Sequence, residues 1–364
     1  MRLIQTDEQK ELASSVRRFL ADTAPMARVR AVAESDEAYD RAVWDRMTGE
    51  LGLAGLAIPE EYGGAGYGHA EVAVVLEELG AALTPSPYLG SVVVAANLLL
   101  QLGDEEAAKE FLPGIAAGRT VAALVVPGVG EPLPTASANH ELTGSVARVL
   151  NGCDAGLLLV PALLDGEVMV YAVARDASGL ARTRMTTLDL TRPLDHVSFS
   201  ATPARPLARS EHALDRTLDL VSVLLAAEQL GGLRRCLDTI VAYAKVRVQF
   251  GRFVGSFQGV KHKLADMHCT LEQAEAIVRY ATWTADEAPD ELPVAAALAQ
   301  SYLGPAYYQV AKDHLLLHGG IGFTWEHDAH LYYKRAKSAE LLLGPNRRHR
   351  AALATRLGLV PQNT

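Results

Sequence analysis

No stretch of the 364-residue sequence is apolar for long enough to cross a bilayer. The longest, Val92 to Leu100, is far short of the roughly 20 residues a spanning helix needs. Cysteine is scarce: Cys153, Cys236 and Cys269 are scattered, odd in number and free of CxxC spacing. That pattern excludes a disulfide framework and offers no zinc site, so no metal is expected. An excess of positive charge is missing as well, since the formal net charge is -9. A nucleic-acid partner needs a basic face to neutralise phosphates, and none is expected here. The opening residues soon become charged, which predicts no signal peptide, and no internal repeat is visible. The expectation is a soluble, cytoplasmic protein without a membrane partner.

What is present is the composition of a folded chain, with 49% hydrophobic and 21% charged residues. The length is too great for one ordinary core and predicts two or three domains. Residues 1–118 read as helices. Thr6-Asp7-Glu8-Gln9 has the form of a cap followed by an acidic first turn. Leu12, Val16, Phe19 and Leu20 continue it with helical spacing. A second stripe, Trp44, Met47, Leu51 and Leu53, is stopped by Gly52 and Gly55. The glycine-rich Ile58–Gly66 segment follows no strand and holds two glutamates, so it reads as an inter-helix turn and not as a phosphate cradle. Helices over 69–83 and 91–102 follow, separated by Pro85 and Pro87.

The texture changes near Gly118. Val121–Val126, Val146–Leu150, Gly156–Val160 and Val168–Val173 are strand-length apolar runs separated by turn residues, and His196–Phe199 closes the set. Residues 119–208 therefore read as a small β domain. From about Ser210 the spacing is helical again, through Leu214, Leu218, Val221, Leu225, Leu233, Leu237 and Ile240. A further helix is expected over Ala295–His318, stopped by Gly319-Gly320. A final one is expected over about His330–Leu343, ended by Gly344-Pro345. The fold class is α+β: an N-terminal α-helical domain (1–118), a middle β domain (119–208) and a C-terminal α-helical domain (209–364).

One stretch organises the rest: Arg247-Val-Gln-Phe-Gly-Arg-Phe-Val-Gly-Ser-Phe-Gln258. Gly251 and Gly255 inside this aromatic, basic segment predict a bend between two helices. Beyond it Phe257, Val260, Leu264, Met267, Leu271, Ala274, Val278 and Ala281 recur at spacings of three and four. That is one apolar stripe for packing helix on helix. Arg247 and Gln258 flank the bend, where a guanidinium and an amide can reach an anion or a polar ligand. On spacing alone the same segment is a helical hairpin with a polar turn.

The pattern Arg-x-Gln-Phe-Gly, then Phe-Gln, then Leu-Ala-Asp-Met resembles the C-terminal signature of the acyl-CoA dehydrogenase family. His318-Gly-Gly-Ile-Gly-Phe323 resembles that family's other C-terminal motif at about the expected distance. Pro59-Glu-Glu-Tyr-Gly-Gly64 is similar to a loop of its N-terminal domain, and Asp189-Leu-Thr-Arg192 to a segment of its middle domain. The resemblance implies an N-terminal α domain, a middle β domain and a C-terminal four-helix domain. It implies FAD as cofactor and an acyl-CoA thioester as substrate, desaturated between Cα and Cβ. Electrons would pass to an electron-transfer flavoprotein, and the usual assembly is a dimer of dimers. It further implies that Arg247, Phe250, Gln258, His318, Gly319 and Gly320 hold the ADP half of a flavin whose ring sits in a neighbouring subunit.

The chain departs from the family where the chemistry is done. Desaturation needs a carboxylate to take the α-proton, a flavin to take the β-hydride, and a polarised thioester carbonyl. The family places its glutamate base at one of two positions. Counting along this sequence, these fall on Leu343 and Val221, which cannot accept a proton. Glu340, about 4.5 Å before Leu343 along a helix axis, is the first candidate for a relocated base; its alternative is an ion-paired glutamate near Lys337. Glu228 shares the Val221 face but lies about 10 Å further on. Leu316 stands where the family carries a cofactor-contacting glutamine. Pro127–Pro132 and Leu150–Cys153 stand where it cradles the flavin ring. The three tryptophans, at 44, 283 and 325, all lie outside the β domain.

The leading expectation is a subunit without the base, paired with a paralogous acyl-CoA dehydrogenase subunit in a dimer or heterotetramer. Some bacterial members acting on bulky steroid-derived acyl-CoAs are similar two-gene assemblies. The second is a self-sufficient homo-oligomer with Glu340 as base. The third is a flavin-free scaffold or acyl-CoA-binding protein. Lys334, Arg335 and Lys337, with Arg347-Arg-His-Arg350, read as a solvated basic helix end favourable to the dipole, with a CoA phosphate contact as the alternative.

Overall fold

The computed structural model describes residues 4–209 and 211–360; Ser210, where the second helical region was expected to begin, and both chain ends lie outside them. The chain divides into two compact units. One comprises Met1–Val29, Ala73–Thr84 and Ser222–Thr364, the other Arg30–Val72 and Pro85–Val221. Among the described residues no helix is long and apolar enough to cross a membrane.

The first unit opens with α1 (Asp7–Thr23). Thr6 Oγ1 accepts from the Gln9 amide at 3.2 Å while Gln9 Oε1 accepts from the Thr6 amide at 3.1 Å, the reciprocal cap that the sequence predicts. The second unit includes α3 (Arg41–Gly49), preceded in the chain by α2 (Met26–Ala33). Trp44 of α3 donates through Nε1 to the carbonyl of Gly118 at 2.9 Å. Gly118 has φ +70, and a Cβ there would meet Thr48 Oγ1 at 2.4 Å, so glycine alone fits where helices give way to strands. The Ile58–Gly66 segment forms a short 3₁₀ turn, Glu60–Tyr62, as its turn-like composition suggests.

α4 (His69–Ala82) follows. The helix expected over 91–102 begins earlier and is differently wound: Tyr88–Ala95 is a fully buried π-helix that continues as α5 (Ala96–Leu102). A Cβ on Gly90 would lie 2.6 Å from Asn151 Oδ1, so this wide turn packs closely on the chain at Asn151. α6 (Glu105–Ala116), which periodicity did not single out, is capped by Asp104.

Among the described residues eight strands form one sheet: β1 (Ala122–Leu124), β2 (Thr135–Ala136), β3 (Glu141–Leu150), β4 (Leu157–Leu164), β5 (Glu167–Ala174), β6 (Leu180–Arg184), β7 (Leu194–Pro203) and β8 (Arg205–Arg209). The order is β6-β7-β3-β2-β4-β5-β8, with β1 added in parallel to β4. Leu142, Val146, Leu158, Val160, Tyr171 and Val197 form its core. Phe199 does not close the set, because β8 follows β7 in the chain and pairs with β5, and β6 and β8 are the two ends of the strand order. Leu180-Ala-Arg-Thr-Arg184 ends in three consecutive polar residues, as an edge strand tolerates, and so carries little apolar signal.

The remaining helices are α7 (Glu211–Val246), α8 (Gln258–Glu287), α9 (Leu292–Leu317), α10 (Ala329–Leu342) and α11 (Asn346–Arg356). The helix before Gly344 is therefore not the last. Pro345 ends α10 and also sits at the N-cap of α11, which has no buried residue and so no apolar stripe to betray it. In the first unit α4 and α7 touch backbone to backbone. A Cβ on Gly80 would lie 2.0 Å from the Glu228 carbonyl oxygen, and one on Gly231 would lie 1.8 Å from that of Glu77. The crossing buries both glutamates. Glu77, 3% exposed, is held by Arg279 and by Arg234 at 3.0 Å, and Glu228 by buried Arg335 at 2.6 Å. Gly231→Ala forces the two helices apart and should lower unfolding stability by about 1–3 kcal/mol or more. Chemical denaturation checks this, and an unchanged midpoint would contradict the crossing.

Candidate functional site

The segment predicted as a bend between helices is a β-hairpin. β9 (Val248–Gln249) pairs antiparallel with β10 (Arg252–Phe253) through Phe250 and Gly251. Both turn residues have positive φ, +52 and +76, as a tight type I′ turn demands. The amide of Val254 donates to the Arg247 carbonyl at 2.8 Å and closes the loop. Its surface is apolar and cationic: Phe250 is 93% exposed, and Val246, Val248 and Phe253 are exposed too. The Arg252 guanidinium lies 3.9 Å over the Phe257 ring. Arg247 is exposed and makes no ion pair with a described residue. Gln258, the first residue of α8, is exposed, with its amide nitrogen 3.1 Å from His262 Nε2.

The end of α9 is held next to this hairpin's root. The Tyr243 ring lies 4.5 Å from that of His318, and the Tyr243 hydroxyl donates to the His318 carbonyl at 3.4 Å. Arg247 is one helical turn further on, its amide bonded to the Tyr243 carbonyl. The structure therefore brings Arg247, His318 and the Gly319-Gly320 pair into one neighbourhood. No described atom lies within 4 Å of where a Cβ would project from Gly319 or Gly320. The surface there is open, and its flanks, Leu316, Ile321 and Phe323, are exposed hydrocarbon.

Beneath it lies a cluster that motif reading passes over. His314 is buried with its ring centre 4.6 Å from that of His318, and His327 lies 4.3 Å from His318. Thr239 Oγ1 is 3.0 Å from His314 Nε2. Burial, with the neighbouring imidazoles of His318 and His327 and the Arg235 charge, pushes His314 down to about 3. Burial also lowers His318, against the bond it makes to the His314 carbonyl. Only the spacing of His314 and His318, one helical turn apart, is a signal in the sequence.

The N-terminal domain model of the acyl-CoA dehydrogenases matches residues 6–119, and their C-terminal domain model matches residues 212–358. The acyl-CoA dehydrogenase IpdE2 of Mycolicibacterium smegmatis is 36% identical over 343 residues, which cover 94% of this chain and 96% of that one. The chain belongs to the acyl-CoA dehydrogenase family. A chain of the ChsE4–ChsE5 complex from Mycobacterium tuberculosis superposes with a TM-score of 0.92 at 29% identity, over the full length of both. A chain of the Tcur3481–Tcur3483 steroid ACAD superposes with a TM-score of 0.89 at 31% identity, covering 97% of this chain and 98% of that one.

Acyl-CoA dehydrogenases are FAD-dependent oxidoreductases, and the residues here fit the two ends of that cofactor unequally. The exposed cation of Arg247, the amide of Gln258 and the open Gly319-Gly320 backbone suit a diphosphate and its nucleoside. The two segments expected to stand where the family cradles the flavin ring are closed on themselves. In Pro127–Pro132, Glu131 Oε2 accepts from the Gly128 amide at 3.1 Å, and its carboxylate pairs with Arg148. At the β3–β4 turn the Cys153 amide donates to Asp195 Oδ2 at 2.8 Å, and Arg182 donates to the carbonyls of Gly152 and Ala155. Asp195 is itself paired with Arg184 at 2.7 Å. Asp189, from the other middle-domain segment, is buried and caps its own turn by accepting from Thr191.

Val221 is buried in α7, and half-buried Leu343 is the C-cap of α10. Both carboxylates weighed as a relocated base are engaged. Glu340 pairs with Lys337 at 2.8 Å, and Glu228 is the buried partner of Arg335.

His314 gives this region a pH signature. The fold holds its neutral form, while the unfolded chain takes up a proton near the ordinary value of 6.5. Its contribution is therefore complete above about 6.5 and is lost as pH falls from there toward about 3, at up to about 1.4 kcal/mol per pH unit. His314→Gln should flatten the fall in denaturation midpoint between about pH 6.5 and about pH 5. Parallel wild-type and variant profiles would remove His314 as the cause.

Proposed function

We propose that this chain is the base-free subunit of a heteromeric acyl-CoA dehydrogenase. It contributes the ADP-binding half of a shared FAD site, and a paralogous chain supplies the glutamate and the ring cradle. One observation carries the reading. Both positions at which the base is expected are hydrocarbon, and the two carboxylates weighed as a relocated base are held in ion pairs, Glu340 with Lys337 and Glu228 with Arg335. A carboxylate held by a buried guanidinium is a poor acceptor for the weakly acidic proton beside a thioester.

The division of labour follows from what remains. Arg247 gives charge-assisted hydrogen bonds to the diphosphate. The backbone N–H groups around Gly319-Gly320 approach phosphate oxygens without an intervening Cβ. Gln258 and His318 orient the nucleoside end, and Phe250 at the hairpin tip packs into the partner. FAD, when bound, supplies the acceptor for the β-hydride. The ChsE4–ChsE5 complex supports a partner of the same family, and the Tcur3481–Tcur3483 steroid ACAD favours a bulky, steroid-derived acyl-CoA as substrate. An electron-transfer flavoprotein is the proposed acceptor and the cytoplasm the proposed compartment.

Expressed alone, the chain should purify without the 450 nm flavin band and leave acyl-CoA unoxidised. Co-expressed with a paralogous chain that carries the glutamate, it should yield a yellow, active complex. A lone chain that is yellow and oxidises an acyl-CoA would overturn the reading. Within the complex, Arg247→Ala should reduce bound flavin about tenfold or more. Glu340→Gln should leave turnover unchanged; abolished turnover with flavin retained would make Glu340 the base.

A further inference from the structure

A cavity of about 450 Å³ opens among α1, α4, α7 and α10, lined by none of the residues assigned above to the cofactor. Its size falls in the range of small-molecule sites, roughly 300–1,000 Å³. The walls differ in kind. Leu20, Ala24 and Met26, at the end of α1 and the start of α2, make an apolar side that α4 extends through Ala81. The facing side, on α7, carries Arg234, Arg235 and Asp238.

Most of the charge around this space is already balanced. Arg17 holds Glu78 in a two-point contact at 2.6 and 3.0 Å. Glu77 is shared by Arg234 and Arg279. Asp238 lies in the field of Arg17. Arg235 is the exception. It is exposed, and no carboxylate pairs with it among the described residues. Its side chain reaches the hydroxyl of buried Tyr332, and that hydroxyl donates to the Ala81 carbonyl at 2.7 Å. Tyr332 thus steadies the guanidinium at the cavity and leaves its other N–H groups available.

We propose that this cavity binds a small amphipathic carboxylate, its head on Arg235 and its alkyl tail along the Leu20–Met26 wall. A cation is disfavoured because every acidic group in the wall already faces an arginine. A phosphate dianion is disfavoured because the lining offers one guanidinium not paired with a carboxylate, which leaves a second negative charge without a partner. A fully apolar ligand leaves Arg235 desolvated without compensation. The head therefore carries one charge, and the tail follows from the aliphatic wall.

Isothermal titration with hexanoate, acetate and 1-hexanol tests this on the full chain. Hexanoate is expected to bind, with acetate and 1-hexanol each at least about tenfold weaker. Arg235→Ala should weaken hexanoate by at least about tenfold and leave 1-hexanol unchanged. Ala21→Trp, on an exposed position of the rim, should block the slot to hexanoate; unchanged melting temperatures establish that both variants are folded. The proposal is overturned if hexanoate does not bind wild-type protein, or if 1-hexanol binds as tightly. It also fails if hexanoate binding survives either substitution, since the ligand then sits elsewhere.

Discussion

The helical unit is built around one backbone contact, the approach of Gly80 on α4 to Gly231 on α7. At this separation no side chain fits between the helices, so the carbonyls of Glu77 and Glu228 form the interface. Their carboxylates are then carried into the interior, and burying a charge is costly unless it is paired. Arg234 and Arg279 answer Glu77, and Arg335 answers Glu228. Removing one partner of such a pair typically costs about 3–5 kcal/mol, while replacing a whole pair with hydrocarbon can be neutral. The pairs therefore set the register in which α4, α7, α8 and α10 pack more than they add net stability.

The same constraint shapes the chemistry left to the chain. A carboxylate on α7 is present, but it is committed to Arg335, and the position seven residues earlier is valine. On α10 the carboxylate nearest Leu343 is committed to Lys337. Around the sheet, Glu131 answers Arg148, and Asp154 and Asp195 answer Arg184. The cationic and glycine-rich features at Arg247 and Gly319-Gly320 have no such internal answer. Groups that a chain leaves unsatisfied on its surface are the ones available to a ligand or a partner.

Much of the architecture was legible in sequence because periodicity is a local signal. The Thr6 cap, the α8 stripe, the α9 stop at Gly319 and the β4 and β5 runs all report on neighbours a few residues away. Elements with little apolar content were missed: β6 and β8, because edge strands can be polar, and α11, because nothing on it is buried. The bend at Arg247 was legible as a bend but not as a hairpin, since Phe250 occupies a positive-φ position that composition usually reserves for glycine or asparagine. Around the candidate site, Arg247, Gln258, His318, Gly319 and Gly320 stood out as motif residues. His327 and Tyr243 did not, because each meets His318 from a different element.

The sequence by itself determined the family, the succession of helices, strands and helices, and the hydrocarbon at Val221 and Leu343, because residue identity and spacing are written along the chain. Only the tertiary structure decided that Glu228 and Glu340 are held by Arg335 and Lys337, that the 127–132 and 150–153 segments close on their own ion pairs, and that Arg235 faces an apolar slot. Those outcomes depend on distances between groups far apart in sequence, and a charge is spent or available according to what the fold sets beside it.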